Sequence, residues 1–264
     1  MPSCTCCAAA VAFSLLPHDF PAWGTVHWYF RRWEREGVWD QLLHTLRKRV
    51  RQKQGRDAEP SAAVIDSQSI KTSAVRGPEK GYDMGKKNLG TQTARGTVDT
   101  QGHVLAVQVS GAQHSDQQGA KSMLEPLQGQ FPKIKLLWGD THYAGELILW
   151  LLRHLGWATQ IVRRPSRPKA EQIVSEGTAA HGDRPLGSRF HPLPKRWVIE
   201  RSFAWITRWR RLARDHEGLP QSSEAFIKLS ASRRMLSLLA PPFSLVLQTW
   251  VVTLGRGDTI RGGR

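Results

Sequence analysis

Short apolar runs of strand length, spaced by helix-periodic stretches, constrain this chain more than any other feature. Residues 62–65 are an apolar run long enough for a buried strand and too short for a helix of ordinary length, and residues 134–138 and 157–162, apolar apart from Lys135, Thr159 and Gln160, read as the following strands. Residues 94–98 and 103–109 are rich in β-branched side chains and are separated by Asp99-Thr100-Gln101-Gly102, which predicts a hairpin. Residues 116–127 read as a helix despite Gly119 and Pro126, and residues 146–155 as an apolar helix closed by Gly156. A last helix, built around Glu200, is expected to reach to about Asp215. Strand, hairpin, helix, strand, helix, strand and helix describe an α/β domain with a mixed β-sheet flanked by helices.

Ahead of that domain, Val26, Tyr29, Phe30 and Trp33 recur at helical spacing up to Gly37. Val38, Leu42, Leu46 and Val50 continue as a second amphipathic helix that ends in basic residues 47–51. Their cationic flanks suit contact with a DNA backbone or a solvated face, and both readings stay open. Residues 52–61 read as a linker. The expected organisation is a small N-terminal helical segment over 1–55, a sheet domain over 61–240 and an atypical tail over 241–264. Residues 67–93, rich in Gly, Ser, Thr and Lys, read as irregular and exposed, as do residues 163–188.

The chain of 264 residues carries 38 Lys and Arg against 22 Asp and Glu, a net charge of +16, so a polyanion is the expected partner and nucleic acid outranks a membrane surface. No run approaches the roughly 20 apolar residues of a spanning helix. The apolar start has no basic residues before it, which argues against a secretory signal. Cys4, Cys6 and Cys7 crowd one end without a zinc-site spacing and suit a reducing cytoplasm.

Three carboxylates then stand out. Asp66 and Asp140 each follow an apolar strand directly, so neighbouring strands would bring both to one edge of the sheet. Glu200 is the one acid in a helix of cations and tryptophans, where Ile199, Phe203, Ile206 and Trp209 form the core-facing stripe and Arg196, Glu200, Thr207, Arg208 and Arg211 share another face. Carboxylates that converge repel one another unless hard divalent cations bind between them. Two Mg²⁺ ions about 4 Å apart activate a water or a 3′-hydroxyl for in-line attack on phosphorus. Singly, a strand-end Asp is also an ordinary turn former, and the Glu200 helix alone reads more readily as a salt-bridged surface than as part of a site. Helix-periodic Trp197, Trp205 and Trp209 are more often core than stacking platforms.

Four ordered motifs bring these residues together: Ile65-Asp66-Ser67-Gln68-Ser69-Ile70-Lys71-Thr72, Gly81-Tyr82-Asp83-Met84-Gly85-Lys86-Lys87, Gly139-Asp140-Thr141-His142-Tyr143-Ala144-Gly145 and Leu193-Pro194-Lys195-Arg196-Trp197-Val198-Ile199-Glu200-Arg201. They closely resemble the transposases of bacterial insertion sequences with an Asp-Asp-Glu triad, nearest to the insertion-sequence-five group. The segment Leu16-Pro17-His18-Asp19-Phe20-Pro21 is similar to the same family, and the resemblance runs over roughly residues 15–240. It implies a ribonuclease H-like catalytic domain that cuts DNA at its element's ends and joins the freed 3′ ends to a target. It also implies Asp66, Asp140 and Glu200 as catalytic metal ligands for two Mg²⁺, with Mn²⁺ able to substitute. Arg196 is the implied phosphate contact, with Lys86, Lys87, Arg201 and Arg208 as further DNA-binding residues.

The implied partner is double-stranded DNA, at the element's ends and at the target, inside a bacterial cytoplasm and at the nucleoid. At least a homodimer is expected, because two DNA ends must meet, although no heptad seam marks one. Relatives carry a longer region ahead of the Leu-Pro-His-Asp motif. The short start here therefore suggests an impaired copy, and a catalytically inactive remnant that only binds DNA is the alternative reading.

Overall fold

The computed structural model describes residues 12–72, 81–83, 88–111, 114–162 and 195–240. Among the described residues six strands form one sheet: β1 (Ala62–Lys71), β2 (Gly81–Asp83), β3 (Asn88–Asp99), β4 (Val104–Gly111), β5 (Leu136–Gly139) and β6 (Ala158–Ile161). The order is β2-β3-β1-β5-β6, with β4 also paired to β3. β1 is antiparallel to β3, and β3 to β2 and β4, whereas β5 runs parallel to β1 and β6 parallel to β5. The parallel half needs crossover connections; α3 (Asp116–Leu124), with the short α4 (Leu127–Gln130), leads from β4 to β5, and α5 (Glu146–Trp150) leads from β5 to β6. This mixed sheet flanked by helices is the ribonuclease H-like arrangement that the resemblance implies.

Side-chain alternation sorts the sheet onto two cores. Ala63, Ile65 and Leu137 enter one, with α3, α5 and Trp157; Val64 enters the other, against which Trp138 packs. The second core also holds α1 (Trp23–Arg35), α2 (Val38–Lys53), α6 (Arg196–Thr207) and α8 (Pro220–Leu239), so the N-terminal helices share a core with the sheet. Strands buried on both faces read as continuous apolar runs, which is why residues 62–65 show no alternation in sequence.

Several expectations are corrected. Asp66 does not end its strand: β1 continues to Lys71 because β3 goes on pairing with it from Ala63↔Asp99 to Lys71↔Thr91. Residues 67–71, 81–83 and 88–93 are therefore sheet, where their small polar composition had suggested irregular chain. What ends near Asp66 is the parallel pairing, whose last partners are Val64 and Trp138. The Glu200 helix stops at Thr207 and resumes as the short α7 (Arg210–Ala213). Its buried residues are Val198, Ile199, Ser202 and Ile206, while Phe203 is partly covered and Trp209 lies beyond the helix. Arg211 is not on an exposed face: it is buried, with Nε 2.6 Å from Glu217 Oε1 and its guanidinium 4.5 Å from the Phe226 ring. Helix 146–155 changes at Leu151 into a π-helical turn that Gly156, at φ 66°, closes.

Candidate active site

Register and parity build the site. Val64 lies opposite Trp138 on the neighbouring parallel strand, and two residues further along each chain stand Asp66 and Asp140. Adjacent strands are about 4.8 Å apart, so the two carboxylates come together. The two-residue step also keeps Asp66 on the Val64 face and Asp140 on the Trp138 face, the side that α6 covers. α6 itself is fixed by close approach: a Cβ on Gly96 would lie 3.2 Å from Phe203, and Gly102, at φ 87°, receives a hydrogen bond on its carbonyl from Ser202 Oγ at 2.8 Å. Gly96 pairs with Asp66 across the sheet, so the glycine lets the helix lie against the strand that carries the carboxylate. Lys195 enters α6 with φ 67°, and among the described residues no other non-glycine has a positive φ. Such a conformation costs on the order of 1 kcal/mol and is held by its surroundings.

Arg196, the first residue of α6, bridges two of the acids. Its Nη2 is 3.8 Å from Asp140 Oδ2 and its Nε 3.0 Å from Glu200 Oε1, one turn along. The second contact is an ion pair without hydrogen-bond alignment, so the guanidinium acts there as charge rather than as a directed donor. Asp66 and Asp140 are buried and Glu200 is half exposed. Burial pushes the Asp66 carboxyl up to about 6; the Ser67 backbone N–H and Arg196 pull it down, and the neighbouring Asp140 and Glu200 charges push it up again.

His142 is a site residue that the motif contained but residue reasoning passed over. It follows Asp140 in a 3₁₀ turn, its N–H donating to Asp140 Oδ1 at 2.9 Å and its ring Nδ1 lying 2.8 Å from Oδ2. The hydrogen bond to Asp140 raises the imidazole pKa. The signal was spacing: a residue two after a capping Asp receives its side chain.

Of the other anticipated residues, Lys86 and Lys87 lie outside the described residues. Arg208 is exposed at the end of α6. Arg201 is engaged within the fold: its Nη2 donates to the Gln101 carbonyl at 2.9 Å, and its guanidinium stacks 4.3 Å from the Trp197 ring and 4.5 Å from that of Trp205. Among the described residues, no three His, Cys, Asp or Glu side chains have closed into a metal-holding group. The donor chemistry nonetheless fits a hard cation: Asp66 and Asp140 offer oxygen ligands side by side at an unfavourable charge density, and Glu200 is one ion pair away.

No curated protein matches the chain. Among solved structures, the strand transfer complex of Mos1 is similar at 13% identity and a TM-score of 0.27, covering 46% of this chain and 41% of that one. The chain thus spans less than half the length of that relative. Family models speak directly: one for a transposase of the IS4/5 family matches residues 7–43, and one described as "Transposase DDE domain" matches residues 57–233. The second covers most of the chain, from the linker through all three carboxylates into α8, and the chain belongs to the DDE-domain transposases of insertion sequences.

Proposed function

We propose that this transposase cuts DNA at the ends of an insertion sequence and transfers the freed 3′ ends to a target, with Asp66, Asp140 and Glu200 as its catalytic metal ligands. The observation that carries the reading is that Asp66 on β1 and Asp140 just past the end of the adjacent parallel strand β5 come to one place, with Arg196 and Glu200 one helical turn apart on α6 beside them. Bound Mg²⁺ or Mn²⁺ ions would supply activation of the attacking oxygen and charge stabilisation at the leaving one. The chain's own residues do the rest. Asp66 and Asp140 present fixed oxygen ligands; His142 orients Asp140 through two contacts; Arg196 leaves its carboxylates to meet a phosphate oxygen. Arg suits that exchange because its planar fork pairs equally with carboxylate and phosphate. The net charge of +16 gives double-stranded DNA a strong nonspecific attraction. Two DNA ends must be joined, so the acting unit is at least a dimer. No described helix is long and apolar enough to cross a membrane; the place of action is the bacterial nucleoid.

The second reading, a remnant that binds DNA without cutting it, is favoured by one observation: Glu200 is taken up in an ion pair with Arg196 at 3.0 Å. Nicking of supercoiled plasmid in Mg²⁺ or Mn²⁺ separates the two. The catalytic reading expects nicking by the parent chain and a loss of about 10²–10³-fold or more in Asp140→Asn, with DNA affinity kept or raised because one negative charge is gone. No metal-dependent nicking by the parent chain, together with retained DNA binding, would establish the remnant.

A further inference from the structure

α1 carries two apolar stripes where a surface helix needs one. Val26 and Phe30 enter the core that α1 shares with α2 and α8. Tyr29 and Trp33, which helical spacing groups with them, lie on the outer side: Trp28, Tyr29 and Trp33 are 49, 44 and 39% exposed. The outward stripe runs Thr25, Trp28, Tyr29, Arg32, Trp33 and Glu36, at steps of three, one, three, one and three, which makes one continuous face of a helix. Its rings are held in place. Trp28 meets Tyr29 edge-on at 4.9 Å, Tyr29 lies 5.8 Å from Trp33, and Trp33 stands edge-on at 5.4 Å to the buried Trp39. A helix that is apolar all round is built to be covered, and rigid Tyr and Trp rings supply contact area at little loss of side-chain freedom.

Charge decides what covers it. The stripe's one cation, Arg32, has its Nε 2.7 Å from Glu36 Oε1 and its guanidinium 5.2 Å over the Trp28 ring, so the stripe is neutral and its cation is taken. Arg31, next in the chain, is turned to Glu34 and Ser222. A DNA backbone is drawn to unpaired cations, which makes this stripe a poor seat for it. Two copies of a chain of net charge +16 repel over most of their surfaces, and a neutral aromatic stripe is where they approach with least repulsion. The stripe also fits itself. Its six positions read the same in both directions, so an antiparallel pair of helices about a two-fold axis sets Trp28 against the partner's Trp33, Arg32 against the partner's Tyr29 and Thr25 against the partner's Glu36. An aromatic side chain buries roughly 150–250 Å², so covering three half-exposed rings together with Thr25, Arg32 and Glu36 removes about 1,000 Å² over the two copies, the lower bound of a specific interface.

We infer that the outward stripe of α1 is the surface on which two copies of this chain pair. The inference rests on the proposed dimeric acting unit and names its contact. Analytical ultracentrifugation of the full chain, free and with a short duplex, tests it without requiring catalysis. The free parent chain should pair with a dissociation constant of about 1–100 µM, as suits an interface of minimal area. Trp28→Ser combined with Trp33→Ser should weaken pairing roughly 30-fold or more, with the melting temperature unchanged and with duplex affinity, read at nanomolar chain where no pairs form, also unchanged. Thr25→Lys, set against the partner's Glu36, should tighten pairing about 2- to 5-fold and Thr25→Glu loosen it by as much. A folding defect does not imitate such a gain. The inference is overturned by pairing that survives the double substitution, and by duplex affinity that falls with it, which would make the stripe a DNA surface. A melting temperature that falls with the double substitution also overturns it, since the stripe is then covered from within the chain. So does a free parent chain that stays monomeric throughout that concentration range; if such monomers still come together on DNA, the dimeric acting unit stands on another contact.

Discussion

Two clusters of arginine and carboxylate in this molecule are built from the same chemistry and finished differently. At the β3–β4 turn, fully buried Asp99 accepts hydrogen bonds from the Gln101 and His103 backbone N–H groups on one oxygen, and its other oxygen lies 2.6 Å from Arg51 Nη1. Arg51 in turn donates from Nε to the Asp57 carbonyl. Both Asp99 oxygens and two of the Arg51 nitrogens have partners inside the chain there, and the result is a clamp between α2 and the sheet. At the other cluster one guanidinium, Arg196, bridges two carboxylates while a third, Asp66, is buried among them with its pKa raised. The protein completes the first cluster by itself and leaves the second with more negative charge than it can satisfy. Buried polar groups are costly unless paired, so an incomplete cluster marks a place where something else completes it.

This contrast can be broken from either side. The largest effect on stability is expected at the completed clamp. Asp99→Ala strands the buried Arg51 and removes two turn hydrogen bonds, and should lower unfolding stability by about 3–5 kcal/mol. A denaturant midpoint little changed by this substitution would mean that the clamp does not hold α2 to the sheet. At the unfinished cluster the sign should reverse. The folded-state pKa of Asp66 is raised from 3.8 to about 6, so the folded chain binds the extra proton and stability falls as pH rises between those values. Asp66→Asn should therefore stabilise the metal-free protein at pH 7 by up to about 3 kcal/mol, a gain that fades as pH drops towards 4. Thermal melts in EDTA at both pH values would read it; destabilisation at pH 7 would show that the chain already satisfies Asp66.

Legibility in the sequence follows the same division. The apolar run at 62–65 announced β1, because a strand segment buried on both faces must be apolar throughout, and the mostly apolar stretches 134–138 and 157–162 announced β5 and β6. Asp66 and Asp140, which follow the first two of them, marked the candidate site. The length of β1 past Asp66 was hidden: Ser67, Gln68 and Ser69 are partly exposed polar residues held in place by β3, a partner that no local pattern reveals. α8 was missed for the opposite reason. It is buried around much of its circumference, with Ser222, Ser223, Ser230 and Ser232 inside beside Phe226, Ile227 and Leu229, so no polar face gives it a helical period. Arg201 carried the same charge signal as Arg196, and only the fold separates them, by setting one against carboxylates and the other between two indoles.

The central claim is that the incomplete cluster is a divalent-cation site. Calorimetric titration of the parent chain with Mn²⁺, in parallel with Asp66→Asn and Asp140→Asn, tests it without requiring activity. The account predicts saturable binding that either substitution weakens by roughly 10- to 100-fold or more, since affinity follows the charge and placement of the ligands. Equal Mn²⁺ affinity in all three proteins, or none in the parent chain, would contradict it.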